Sequence, residues 1–380
     1  MKKILKKFGI ILISFFIINE IYAEDELKLK SDAVVVIDND TGRVLYSKNK
    51  DMKLSIASLT KVMTAIMLTE NANMSDLIEV PKEAALVGGS TAGVKAGEKM
   101  TAKNLLYAML LPSGNDAAYT IGSYIGCGDI KNFAYLMTKR ANEIGATNTS
   151  FANPHGLDNE LHYSTAYDVS LITRYALKNS DINEVVGTVS KTVDMGSFSK
   201  TFNNTNSLLR TFYGTDGVKT GFTNDANRCL IASCSREEER LIAVVLGADT
   251  TEIRFKEAKD VLDYSFKNYK MTDISNYLKV YVNIPVIKSD ISYYEKQINF
   301  NYSVPLKNGE YDKIYLKQEF IDEIKAPMEA GKLIGRVKAY IDDEVIFEKE
   351  IYLDRNINKN TPLFYINKAY KDIFLEYSAL

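Results

Sequence analysis

The sequence predicts an α/β fold of the α+β type, one antiparallel sheet covered by helices, followed by a small all-β domain. Three observations carry that prediction. Short β-type runs stand at both ends of the first 270 residues, and helical patterns fill the middle. The runs at each end come in pairs joined by polar turns, the sequence mark of a hairpin. Beyond residue 276 helical periodicity gives way to successive strand-like runs separated by polar or glycine turns. A sheet built from distant segments must bury its faces against another layer, and the intervening helices supply it.

In chain order, residues 33–37 and 43–46 predict a first hairpin around Asp38-Asn39-Asp40-Thr41-Gly42. Residues 58–70 hold no Gly or Pro and space Val62, Ile66 and Leu68 as a helix does. Further helices are predicted over 102–111 and 115–125, split by Pro112-Ser113-Gly114, over 130–144, closing near Gly145, and over 165–178. Apolar runs at 229–234 and 240–248 make a second hairpin, with Glu237-Glu238-Glu239 as its solvated tip, and a helix covers 252–269. Strands are then predicted at 278–286, 291–300, 313–316, 333–341 and 345–353, and a last helical stretch at 363–380. The expected organisation is a signal peptide over 1–23, a helix-covered domain over 24–272, a β-rich domain over 273–357 and a helical tail over 358–380.

Lys2, Lys3, Lys6 and Lys7 precede the apolar run 8–18, which is too short to span a bilayer, and Ile21-Tyr22-Ala23 offers a cleavage site. The chain is therefore expected to be exported. The 1–23 segment carries four lysines and Glu20, so its removal takes the formal charge from −2 to about −5. A mildly acidic protein without a basic run is not a nucleic-acid partner. Cys229 and Cys234 fall on one predicted strand, roughly 16 Å apart, where a disulfide tolerates about 7 Å. Three free thiols are expected, Cys127 among them. With only His155 and His162 and no Cys-x-x-Cys, neither a metal site nor a cofactor is expected.

Three short motifs carry chemistry. In Ser58-Leu59-Thr60-Lys61, positions i and i+3 share one helix face, so hydroxyl and amine can meet. A serine hydroxyl attacks well only when a base takes its proton, and a lysine serves as that base only if burial or a second cation lowers its pKa. A helix N-terminus also offers backbone N–H for an oxyanion hole. Ser113-Gly114-Asn115 sits in the break between two helices. Lys219-Thr220-Gly221 supplies the second cation, a hydroxyl for a substrate carboxylate, and a side-chain-free position where a peptide can lie along a strand edge. Each motif alone is weak, but their order, spacing and places at element boundaries are not coincidental.

These motifs are the set found in penicillin-binding proteins and class A β-lactamases. With their flanks, Ile56 to Thr64, Leu110 to Ala118 and Asp216 to Thr223, the chain resembles the low-molecular-weight D-alanyl-D-alanine carboxypeptidases, serine peptidases of the penicillin-binding-protein superfamily. Phe151-Ala152-Asn153-Pro154-His155-Gly156-Leu157, His162 to Ala166 and Arg254-Phe255 extend the likeness over residues 30–270, and Ala326-Pro327 with Gly331 to Gly335 extends it more loosely into the β domain. The resemblance implies a serine β-lactamase/transpeptidase-like domain. It implies that Ser58 attacks the bond between the last two D-Ala residues of a peptidoglycan stem peptide. Lys61 is then the base, Ser113 and Asn115 relay protons and orient substrate, and Lys219, Thr220, Gly221 and Arg254 bind it. The N–H groups of Ser58 and Phe222 form the oxyanion hole. Water releases the acyl-enzyme, β-lactam antibiotics acylate the same serine, and trimming of stem peptides limits cross-linking and so bears on cell shape.

Rival readings are a β-lactamase or esterase on the same fold, an endopeptidase acting on cross-bridges, and a non-catalytic wall-binding protein. No Glu-x-x-Leu-Asn arrangement stands near Asp158 and Glu160, which read as solvated loop charges. His155 reads as structural. In the tail, Leu363, Ile366, Tyr370, Ile373, Phe374 and Tyr377 fall on one helical stripe, which resembles the family's membrane-lying helix. Lys368 and Lys371 oppose Asp372 and Glu376, so apolar burial rather than charge must drive any membrane contact.

Overall fold

The computed structural model describes residues 27–377. The leader expected over 1–23 lies outside the described residues, as do the last three residues of the tail.

Strands β1 (Ala33–Asp38) and β2 (Val44–Lys48) form the first hairpin. Asp38 closes its turn by accepting from the backbone N–H and the hydroxyl of Thr41, and Gly42 supplies the positive φ. A 3-10 turn, Ala57–Thr60, then leads into α1 (Lys61–Asn71). This corrects the helix expected from residue 58. Ala57 adopts φ +46°, so the chain enters the helix through a left-handed residue and Ser58 sits on the tight turn. The pairing of Ser58 with Lys61 survives, because i and i+3 eclipse in a 3-10 turn.

A small pair, β3 (Leu77–Glu79) with β4 (Lys99–Thr101), precedes α2 (Ala102–Leu110), α3 (Asn115–Ile125), α4 (Ile130–Ile144) and α5 (Ala166–Ala176). Side chains of Thr101, Asp129 and Thr165 cap α2, α4 and α5, and Gly145 ends α4 in the left-handed region. Several short elements were not foreseen, the β3–β4 pair among them. Helix α6 (Ser180–Gly187) is only eight residues long, and the hairpin of β5 (Ser190–Asp194) and β6 (Ser199–Asn203) buries a single side chain from each strand, Val193 and Phe202. Neither leaves a readable period. After a one-turn helix, α7 (Leu208–Thr211), come β7 (Thr215–Thr223), β8 (Asn227–Arg236), β9 (Glu239–Ala248) and α8 (Thr251–Asn268).

The central sheet runs β2-β1-β9-β8-β7, antiparallel throughout. One face packs on α8 through Ala258, Val261 and Leu262, and the other on the helical layer that includes α1, α2 and α3. Being covered on both sides explains why β1 is an unbroken buried run rather than an alternating one. Strand β7 lies at the sheet edge, so its free side is open to a ligand.

The remaining chain is β10 (Lys270–Asp273), β11 (Lys279–Ile287), β12 (Tyr293–Asn299), β13 (Ser303–Leu306), β14 (Ile314–Phe320), β15 (Ile324–Lys325), β16 (Leu333–Ile341), β17 (Glu344–Tyr352) and α9 (Pro362–Tyr377). Strand β10 pairs with β13, β11 with β12 and β15, and β16 with β14 and β17. Val280, Val282, Ile284 and Val286 point inward from β11 with the period of two that half-buried strands show. Arg43 joins this unit to the first hairpin. It is buried, and its two terminal nitrogens each lie 2.9 Å from the Glu310 carboxylate, with Glu344 at 3.1 Å and the Pro305 carbonyl as a further acceptor.

Candidate active site

Lys61 opens α1 with its side chain wholly buried. Its Nζ lies 2.8 Å from Ser58 Oγ, 2.7 Å from Asn115 Oδ1 and 2.7 Å from the His155 carbonyl. Two of these neighbours, the amide oxygen and the backbone carbonyl, can only accept. A neutral amine has two hydrogens and one electron pair. With both hydrogens given to those oxygens, the pair faces Ser58, whose O–H then donates to it. Burial holds Lys61 well below its usual range and the Lys219 cation adds to that, while Asp116 opposes it. Lys219 is itself pushed down to about 7, first by burial and then by Arg254.

Packing of distant segments sets the Ser58 turn. A Cβ on Gly221 would lie 3.1 Å from Ala57 Cβ and 3.2 Å from the Ser58 nitrogen, so β7 packs this closely on the turn with the help of a residue that has no side chain. Gly156, at φ +90°, presses on the Ala57 carbonyl from the other side, where a Cβ would come within 1.9 Å. The Thr60 hydroxyl donates to that same carbonyl at 2.8 Å. His162 Nδ1 accepts from the Ala152 N–H, so the hydrogen sits on Nε2, which donates to Thr60 Oγ1 at 2.7 Å. Burial depresses His155 to about 3 and His162 to about 4, so both imidazoles are neutral near pH 7. Ser113 is the second non-glycine residue of the site with positive φ, at +65°, and such strain persists only where the surroundings fix it.

The cleft in front of Ser58 encloses about 440 Å³ and is lined by Gly89, Ser90, Asn115, His155, Gly156, Leu157, Asp158, Phe222, Thr223 and Asn224. Of the residues expected from sequence, Ser58, Lys61 and Asn115 meet through direct hydrogen bonds. Lys219, Thr220, Gly221 and Phe222 run beside them on β7. Lys219 Nζ donates to the Thr220 carbonyl at 2.9 Å, and Thr220 Oγ1 lies 2.7 Å from Thr205 Oγ1. Ser113 is buried in the α2–α3 break, and among the described residues its hydroxyl takes no hydrogen-bond partner. Arg254 lies behind β7, where Nη1 donates to the carbonyls of Gly221 at 3.2 Å and Cys229 at 3.3 Å. Sequence reading missed Gly89, Ser90, Thr223, Asn224 and the supporting roles of Asp116 and His162. The Gly88-Gly89 pair and the acid directly after Asn115 were the available signals. Asp158 is exposed, as expected of a loop charge, yet it also borders the cleft. The three cysteines are free, and burial raises the Cys229 thiol to about 12.

A buried lysine amine aimed at a serine hydroxyl on a tight turn, beside an open sheet edge, defines a serine-type acyl-transferring hydrolase. Residues 20–250 match the family model described as D-alanyl-D-alanine carboxypeptidase, and residues 269–359 match that of the penicillin-binding protein 5 C-terminal domain. The chain belongs to the D-alanyl-D-alanine carboxypeptidase family. It is 34% identical over 355 residues to the D-alanyl-D-alanine carboxypeptidase DacF of Bacillus subtilis (strain 168), covering 91% of both chains. The crystal structure of the D-alanyl-D-alanine carboxypeptidase DacD from Francisella tularensis superposes with a TM-score of 0.66 at 28% identity, over 89% of this chain and 96% of that one. The Streptomyces K15 DD-transpeptidase superposes at 0.60 with 32% identity, over 63% of this chain and 98% of its own.

Proposed function

We propose that this serine-type D-alanyl-D-alanine carboxypeptidase removes the terminal D-Ala of peptidoglycan stem pentapeptides through an ester on Ser58. The observation that carries this reading is the set of three oxygens around Lys61 Nζ, which leaves its electron pair to Ser58. Lys61 takes the hydroxyl proton as Ser58 Oγ bonds to the carbonyl carbon, and the oxyanion sits between the N–H groups of Ser58 and Phe222. The C–N bond then breaks, the proton passes to the leaving amine, and D-Ala departs. Water attacks the ester, Lys61 takes its proton, and Ser58 is restored. A β-lactam opens its ring amide on the same oxygen, and its amine cannot leave because the ring skeleton tethers it. The deciding experiment combines fluorescent-penicillin labelling, intact mass and D-Ala release from a Lys-D-Ala-D-Ala peptide. A protein that neither labels nor releases D-Ala would sink the reading.

Lys219 and Thr220 are read as the partners of the substrate's terminal carboxylate, with Arg254 adding charge from behind β7. Arg254→Ala is therefore expected to weaken turnover of free-acid peptides about 10-fold or more beyond its effect on C-terminally amidated ones. Equal losses on both would make Arg254 a prop for the Gly221 and Cys229 carbonyls instead.

The lysine-flanked apolar leader supports export to the extracytoplasmic face or the cell wall. Strand β10 (Lys270–Asp273) pairs with β13 of the second unit, which supports a division between the two domains just before Lys270 rather than after residue 272. Helix α9 exposes Leu363, Tyr365, Ile366 and Tyr370, which supports a peripheral membrane contact. Among the described residues no helix is long and apolar enough to cross a membrane. Because Asn360 N–H still bonds the Lys288 carbonyl, the informative truncation ends after Thr361. It is expected to release the protein from liposomes while D-Ala release from soluble peptides continues. Absence of liposome binding by the untruncated mature chain would refute the anchor.

A further inference from the structure

Asp116, directly after Ser113-Gly114-Asn115, is buried yet forms no ion pair among the described residues. Backbone N–H groups saturate its carboxylate instead. Oδ1 accepts from Ala92 at 2.8 Å and Ala117 at 2.9 Å, and Oδ2 from Gly93 at 2.7 Å and Val94 at 3.0 Å. Three of the four donors belong to one loop, residues 88–94. Gly89 and Gly93 lie in the left-handed region there, Ala92 and Val94 are buried in the core, and Gly89 and Ser90 line the cleft.

The same loop bonds back to Asn115. Asn115 Nδ2 donates to the Gly88 carbonyl at 2.7 Å, and the Asn115 N–H donates to the Ser90 carbonyl at 2.7 Å. With Nδ2 tied to a carbonyl, the amide has one orientation, and Oδ1 faces Lys61. Were the loop to move, the amide could turn its NH2 toward the amine. Lys61 would then lose one of the two acceptors that aim its electron pair at Ser58.

We propose that Asp116 is a positioning residue for acyl transfer: by pinning loop 88–94 it fixes the Asn115 amide and, through it, the direction of the Lys61 electron pair. This rests on the reading of Lys61 as the base. Asp116 also faces Lys61 electrically, together with the Lys219 cation from β7 and the neutral His155 and His162 from the 151–164 segment. Ser58 and Asn115 complete the surround. Loss of the Asp116 charge therefore lowers the Lys61 pKa further and moves the acidic limb of the acylation rate to lower pH, whereas loss of Lys219 moves it to higher pH.

The test is a double-mutant cycle of Asp116→Asn and Asn115→Ala, read as the rate of Ser58 acylation by a fluorescent penicillin, with thermal unfolding recorded for each variant. Asp116→Asn is expected to stay folded, to acylate about 10- to 100-fold more slowly and to shift the acidic limb downward. In the Asn115→Ala background the same change should cost less than about threefold. Full additivity, or an unchanged rate in Asp116→Asn, would overturn the proposal. Should Asp116→Asn unfold, Asp116→Glu, which keeps the charge but displaces the carboxylate, is put through the same cycle with the same criteria. Penicillin acylation is readable even if D-Ala release is absent, so failure of the positioning role and failure of the carboxypeptidase reading give different results.

Discussion

Ser58→Ala is expected to abolish penicillin labelling and D-Ala release together, a loss of about 10⁴-fold or more, with the fold intact. Ser58 is partly buried on a turn whose shape is set by Ala57, Gly156 and Gly221 rather than by Ser58 itself. Removal of the hydroxyl costs one hydrogen bond to an amine that keeps its two others. Among the described residues no other hydroxyl bonds to Lys61 Nζ. Ser113 is the nearest candidate by motif, but it lies in a different segment and makes no such bond. Covalent labelling that persists in Ser58→Ala, mapped by peptide mass, would transfer the nucleophile to another residue.

Lys61→Ala is expected to leave a folded protein whose acylation is about 10²- to 10⁴-fold slower, the usual worth of a general base. The pH dependence sharpens this. Burial and Lys219 hold the Lys61 pKa below that of an ordinary lysine, so the neutral, proton-accepting fraction grows as pH rises through the lowered value. Wild-type acylation should climb with pH and then level off on the acid side of the ordinary lysine range. The climb should vanish in the variant. Truncation leaves Asn115 Oδ1 and the His155 carbonyl without their donor, so some loss of thermal stability accompanies it; Lys61→Met, which keeps the stem, separates that loss from the chemistry. An unaltered rate with an unaltered pH slope would assign the base elsewhere.

How much of this was legible before the structure follows from the range of the forces involved. The first hairpin and the end of α4 are written locally, in Asp38 to Gly42 and in Gly145, and those were readable. So were the chemical residues, because the three motifs carry their geometry within a few positions. What sequence reading could not supply was imposed from afar. Ala57 is driven into the left-handed region where Gly156 and Gly221, roughly 100 and 164 positions later, close on its turn. Nothing beside Ala57 announces it. Arg43 reads as a hairpin residue until Glu310 and Glu344 come into contact with it. Asp116 reads as a helix-start acid, and only the folded chain brings residues 92–94 to its carboxylate.

The order of strands in the central sheet bears on how the chain is made. Strand β1 has β2 on one side, but its other neighbour is β9, with Ala33 opposite Leu246. A ribosome has therefore released almost the whole first domain before the middle of the sheet can close. Such long-range pairing makes for slow folding, since the chain must bring distant segments together before any contact rewards it. The first hairpin alone is a marginal structure in water, so β1 and β2 gain their stability only once β9, about 200 positions later, has come to lie beside them.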